Sequence, residues 1–441
     1  MRGARLGDQT DALRYMPGFG NTHSTEAEPG ALPIGRNSPQ RAPLGLYAEV
    51  LSGTAFTVPR DRNQRSWLYR ILPSVRHAVG FEEIDAGHLR TAPSDEGQLP
   101  FAQLRWGPVP LDAQTDHDFV DGLVTIATCG HAASQTGMAS HVYTATRSMA
   151  QRCFMNADGE MLFVPEMNAV RLVTEFGVLL ARPGDIAVIP RGVKFRLELP
   201  EGPVRGYICE NYGGAFRLPE RGPIGANHLA NDRDFLYPLA AYEDRTEPHE
   251  LFCKKQGRMF RAELPHSPLD VVAWHGNYAP YKYDLRRFAT IGSISFDHPD
   301  PSIFTVLTSP SASEGTANVD FVIFPDRWLV MEDTFRPPWY HVNVMSEFMG
   351  LVYGVYDAKP GGFVPGAMSL HNAMIPHGPD QNAFEGGSSK TLEPEKLSGT
   401  LAFMFETCFT LEPTRFAATA LSRDETYADC WSGLRRQFSV G

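Results

Sequence analysis

Arg336-Pro337-Pro338-Trp339-Tyr340-His341 opens a stretch that closes with Ile375-Pro376-His377-Gly378-Pro379-Asp380. Between these ends lie Glu347 and His371. Four possible metal ligands therefore sit in one short region, flanked by β-type residues and Pro/Gly turns. The pattern implies a metal held inside a small β-structure. Two imidazoles and one carboxylate with positions left open form the donor set of a non-haem Fe(II) site that handles O2.

The spacing constrains the fold. His341 and Glu347 are six residues apart. On one straight strand that separation is roughly 20 Å, and in a helix it is a turn of about 600°. Neither lets both groups reach one ion at ~2.1 Å. The chain must fold back so that neighbouring strands present both inward. A cupin barrel supplies that geometry. Its first motif, His-x-His-x3-Glu-x6-Gly, is similar to His341, Asn343, Glu347 and Gly354, with Asn343 replacing the second His. A later His must then complete the set, and both His371 and His377 follow. His377, fixed between Pro376 and Gly378, is the favoured one of the two, and His371 stays open.

The rest of the chain reads as β. It has 441 residues, 40 Gly and 35 Pro, with 42% hydrophobic and 21% charged residues. Short Val/Ile/Phe/Tyr-rich runs bounded by turn residues recur, and helix-period runs are rare. Leu46–Gly53, Thr54–Pro59 and Arg65–Pro73 are early strands. Gly122–Thr128, Met161–Glu166, Gly177–Asp185 and Ile186–Phe195 follow. Gly184, Pro190 and Gly192 resemble the second cupin motif, but Phe195 stands where that motif carries a metal-binding His. This half is expected to be a barrel without a metal.

A second β-unit is expected from about residue 288, with strands at 291–296, 304–307, 321–324 and 399–411. Residues 214–284 read as loop-rich with a possible short helix, and Glu250–Phe260 as an amphipathic run. His275 reads as a structural hydrogen-bonder. Residues 378–398 read as a polar loop, and the part from Asp380 on is expected to act as a lid. Residues 412–437 turn helical in composition, with Leu421, Trp431 and Leu434 as buried candidates. The aromatic loop Tyr15–Asn21 reads as a packed arm, or as one reaching a neighbouring subunit. The expected architecture is mainly β. A large N-terminal β-sandwich/barrel domain, residues 1–287, precedes a smaller C-terminal cupin-like (jelly-roll) catalytic domain with a C-terminal helical segment, residues 288–441.

The formal net charge of −11 argues against nucleic acid or anionic membrane as partners. No apolar run approaches the roughly 20 residues of a membrane helix. The six cysteines form no CxxC pair, and the N-terminus lacks a secretory apolar region. Reduced thiols and a cytoplasmic location are expected. Two rival readings are a zinc-dependent cupin isomerase and a non-catalytic bicupin with a structural metal. The open donor set and the loss of a fourth ligand at Asn343 weigh against both.

The long strings are more specific. Arg336–His341, Met345–Gly350, Pro376–Asp380, Tyr15–Asn21 and Arg65–Ser74 resemble the homogentisate 1,2-dioxygenase family, and the resemblance runs nearly end to end. It implies Fe(II) ligands at His341, Glu347 and His377. It implies a general acid/base at His298, in Asp297-His298-Pro299-Asp300-Pro301. It also implies substrate contacts at Tyr356, His371 and His377. The implied activity is cleavage of the homogentisate ring by O2 to 4-maleylacetoacetate, on the route that degrades tyrosine and phenylalanine. The implied assembly is a hexamer, a dimer of trimers. Trp339 departs from the family pattern, where a second Tyr-like residue is expected.

Overall fold

The computed structural model describes residues 4–5, 13–94, 96, 100–112, 114–292, 294–359 and 361–440. Its architecture is mainly β. A nine-stranded sheet forms the middle layer. Its order is Tyr15–Pro17, Leu236–Pro238, Tyr281–Asp284, Asp185–Ile189, Glu160–Met167, Val204–Asn211, Thr136–Ala145, Leu123–His131, Glu412–Pro413. Register shows what covers each face. Phe163 pairs with Ile208, and Tyr143 with Gly206, so their side chains share one face. There Phe163 and Tyr143 meet Phe119, and Phe163 also meets Phe195 of a seven-stranded sheet. Tyr207 points the other way, with its ring 4.9 Å from Phe403 of a six-stranded sheet. Strands covered on both faces lose period-2 alternation, and Leu123–Cys129 is accordingly buried throughout.

Phe195 lies in the aromatic knot between the first two layers, with Phe119, Phe154 and Phe163 at ring separations of 5.6–5.8 Å. It is fully buried. The place of a metal-binding imidazole is thus filled by packed apolar rings.

The six-stranded sheet runs Thr305–Pro310, Ala317–Phe324, Leu401–Thr407, Ser346–Tyr353, Met368–His371, Leu104–Trp106. Its last strand comes from the early part of the chain. Reciprocally, Glu412–Pro413 from the late part pairs with Leu123–His131 in the middle layer. One hydrophobic cluster runs continuously from Met16 to Leu421. Gly354, just after the Ser346–Tyr353 strand, has φ +81°, and a Cβ there would strike the Gly399 carbonyl. That accounts for the glycine at this place in the motif.

Several expectations need correction. Glu250–Phe260 is not helical. It is a hairpin of His249–Lys255 and Arg258–Leu264. Its two-residue turn is Gln256-Gly257, both at positive φ, as right-handed strand twist favours. Residues 291–296 form no strand among the described residues, and Ser293 lies outside them. Phe296 is 81% exposed. Residues 378–398 are not all loop. Gln381–Ser389 is an α-helix whose first turn is capped by Asp380, which accepts from the Ala383 amide at 2.8 Å. Residues 395–397 then pair with Arg327–Leu329. The C-terminal helical segment is short, Arg415–Thr419 followed by a 3-10 turn at Tyr427–Trp431. Leu421 is buried, but Leu434 is exposed. Tyr15–Pro17 packs on its own chain as an edge strand. His275 bonds Asn37 at 2.7 Å. All six cysteines are free. No helix among the described residues is long and apolar enough to cross a membrane.

Candidate metal centre

The fold-back implied by the spacing is present. His341 and His377 form an isolated antiparallel bridge, with amide-to-carbonyl distances of 2.9 and 3.1 Å. The Met374 amide adds a bond to the Asn343 carbonyl at 2.8 Å. Glu347, second residue of its strand, lies opposite His371 on the neighbouring strand. Two turns and two strand ends therefore converge on one point.

The donor atoms of His341, Glu347 and His377 lie within 4.8 Å of one another. His341 Nδ1 donates to the Trp339 carbonyl at 2.9 Å, and His377 Nδ1 donates to the Ile375 carbonyl at 2.9 Å. Each ring thus keeps its Nε2 lone pair free and aimed inward, the tautomer a metal needs. His377 Nε2 stands 3.0 Å from Glu347 Oε2, and His341 Nε2 stands 3.4 Å from Oε1. Burial opposes the carboxylate charge, yet the two imidazoles hold Glu347 well below the ordinary range. His341 is itself raised, because its bonds to Glu347 and to the Trp339 carbonyl outweigh burial. Two imidazoles and a carboxylate held this way fit a divalent transition metal.

A cavity of about 360 Å³ opens on one side of the set, within the range of small-molecule sites. Its wall includes His298, Trp339, Tyr356, Lys359, Met404 and Glu406. His298 Nδ1 donates to the Pro299 carbonyl at 2.7 Å, and its ring stands edge-on to Trp339 at 5.0 Å. Burial lowers the His298 pKa, leaving the ring neutral at pH 7. Tyr356 is buried against Phe324 and Phe363. His371 also lines the cavity but is outside the ligand group. Its Nε2 accepts from the Tyr427 hydroxyl at 2.8 Å, and its ring lies on that of His377 at 4.3 Å and 14°.

Family models describing the N-terminal and C-terminal parts of homogentisate 1,2-dioxygenase match residues 14–285 and 286–438. The chain belongs to the homogentisate 1,2-dioxygenase family. It is 66% identical over 424 residues to homogentisate 1,2-dioxygenase of Nitrobacter hamburgensis, covering 96% of this chain and 94% of the relative. It is 64% identical to the Bradyrhizobium diazoefficiens enzyme over the same shares. To that of Rhodopseudomonas palustris strain BisB18 it is 63% identical, over 98% of this chain and 97% of the relative.

Some residues around this candidate site escaped the sequence reading. Asn343 does not merely vacate a ligand position. Its Nδ2 donates to Glu347 Oε1 at 2.8 Å and steadies the carboxylate. Glu406 sits opposite Glu347 in the sheet. Burial first, and then the Glu347 and Asp320 carboxylates, push it up to about 8, so it is protonated at neutral pH. Lys359 and Tyr427 touch behind His371. Tyr427 comes from the C-terminal turn, too far along the chain for any motif to signal. The only sequence hint for Glu406 was a charge inside the strongly β run Gly399–Leu411.

Proposed function

We propose that this chain is a homogentisate 1,2-dioxygenase. It cleaves the ring of homogentisate with O2 to give 4-maleylacetoacetate, in tyrosine and phenylalanine catabolism. The observation that carries the reading is the convergence of His341, Glu347 and His377 beside a cavity with one side left open. The metal is Fe(II), the ion matched to two His and one carboxylate with free positions. His341, Glu347 and His377 would hold the iron, which when bound would supply Lewis-acid and redox chemistry for the ring and O2.

The remaining work falls to the chain. His298 is the acid/base. With Nδ1 tied to Pro299, its Nε2 takes the proton from a ring hydroxyl. Tyr356 offers its hydroxyl to a substrate oxygen; burial raises its pKa and keeps it a donor. His371 and His377 complete the substrate contacts. Trp339 and Met404 supply apolar wall that excludes water and holds the ring in one orientation. The enzyme works in the cytoplasm as a hexamer, a dimer of trimers.

An oxygen electrode tests the activity. Purified protein with ferrous iron and homogentisate is expected to consume about one O2 per substrate. Full iron loading without uptake rejects the reading.

A further inference from the structure

Apart from its histidines, the cavity wall carries two basic side chains, Arg327 and Lys359. Arg327 is already committed. Its Nη2 donates to Asp357 at 2.7 Å, its Nη1 to the Pro325 carbonyl at 3.2 Å, and its guanidinium lies over Phe304.

Lys359 is different. It is only 7% exposed. Among the described residues no carboxylate comes within ion-pair distance of its Nζ. The Nζ instead touches the Tyr427 hydroxyl, stands 3.5 Å from His371 Nε2, and lies 5.2 Å from the Trp431 ring centre. The Lys359 amide, bonded to the Tyr356 carbonyl at 3.1 Å, fixes the root of the side chain. A buried ammonium without a counter-charge is a costly arrangement to keep. Burial pulls this one down to about 8. An anion entering the cavity removes that cost by pairing with it.

The position matters as much as the charge. Nζ reaches His371, and the His371 ring lies on the ligand His377. The ammonium therefore stands one imidazole beyond the ligand set, on a residue that lines the cavity. A compact ring acid with one oxygen at the ligand set carries its carboxylate only a few bonds away.

We propose that Lys359 is the specificity-determining residue of the site, pairing with the side-chain carboxylate of the substrate. This deepens the homogentisate reading and rests on it. The ammonium selects ring acids over neutral hydroquinones and sets the ring's rotation in the cavity. Tyr427 and Trp431 hold the ammonium in place from behind.

The test compares homogentisate with its neutral amide, 2,5-dihydroxyphenylacetamide, in iron-loaded wild type, Lys359→Met and Lys359→Arg. Wild-type O2 uptake with homogentisate checks the activity itself, and its absence overturns that reading rather than this one. With uptake present, wild type is expected to prefer the acid. In Lys359→Met the ratio of kcat/KM for acid to amide is expected to fall about ten- to hundred-fold, as loss of one charge-assisted bond requires. The change should lie mainly in KM for the acid. Lys359→Arg should retain most of the preference. The ratio is taken on one preparation, so the folded fraction cancels. An unchanged ratio in Lys359→Met, or equal loss on both compounds, overturns the proposal.

Discussion

Asn343 donates its side-chain amide to Glu347 at 2.8 Å, while its own side-chain oxygen accepts the Met345 amide at 2.7 Å. One residue thus ties the carboxylate to the turn that carries His341. Partners of this kind set the orientation of a ligand, and losing one weakens metal affinity by about ten- to hundred-fold. Asn343→Ala is expected to show that loss in a chelator competition, with the fold intact by circular dichroism. Wild-type affinity in this variant would deny Asn343 that role.

The proposed ligands and the proposed acid/base separate by metal content. His341→Ala and Glu347→Ala are expected to lose iron. His298→Ala is expected to keep it, with kcat down about 10²- to 10⁴-fold. Iron analysis beside O2 uptake distinguishes the two classes. Normal turnover by His298→Ala would remove it from the mechanism.

The pH profile follows from burial of His298, which moves its pKa below the ordinary 6.5. In the proposed acid/base role the neutral ring is the working form, and protonation would abolish its action. kcat/KM is therefore expected to hold at pH 6.5 and to fall on the acid side only below that value. A fall centred above pH 6.5 would point to another group.

Acid also acts on stability. His77 is 2% exposed, and neither ring nitrogen has a partner among the described residues. Burial, with Lys194 and Arg70 nearby, takes it down to about 2 from 6.5. Between those values the unfolded chain binds a proton that the folded chain refuses. Stability is therefore greatest above pH 6.5 and falls with acid, by about 1.4 kcal/mol per pH unit for that proton. His77→Phe is expected to flatten the slope of urea stability against pH by about that amount between pH 6 and 4.

The aromatic knot around Phe195 is a packing feature. Phe195→Ala is expected to cost about 3–5 kcal/mol in urea denaturation. Metal content per chain should not change.

Part of this was legible in the sequence. His341, Glu347 and His377 lie inside strings whose spacing demands a fold-back, and local turns deliver it. The long strands announced themselves by β-branched and aromatic content. The misreadings share a cause. Leu251, Phe252, Met259 and Phe260 suit a helix face or a hairpin equally, and the Gln256-Gly257 turn decided between them. Ile291, Ile294 and Phe296 look like a strand, but among the described residues they take part in no strand ladder. The Gly386-Gly387 pair disguised a helix that the Asp380 cap holds. Lys359 and Tyr427 meet across 68 positions of chain, and only the fold creates that contact.

Leu104–Trp106 waits at the edge of a sheet whose other strands are all translated after residue 304, and Glu412–Pro413 finishes a layer begun near residue 15. During synthesis, then, neither layer can close until almost the whole polypeptide has left the ribosome. Until that moment both keep bare edges open to solvent and to other nascent chains. A truncation near the carboxyl end, well away from His341, would leave the first half of the molecule unfinished as surely as the second.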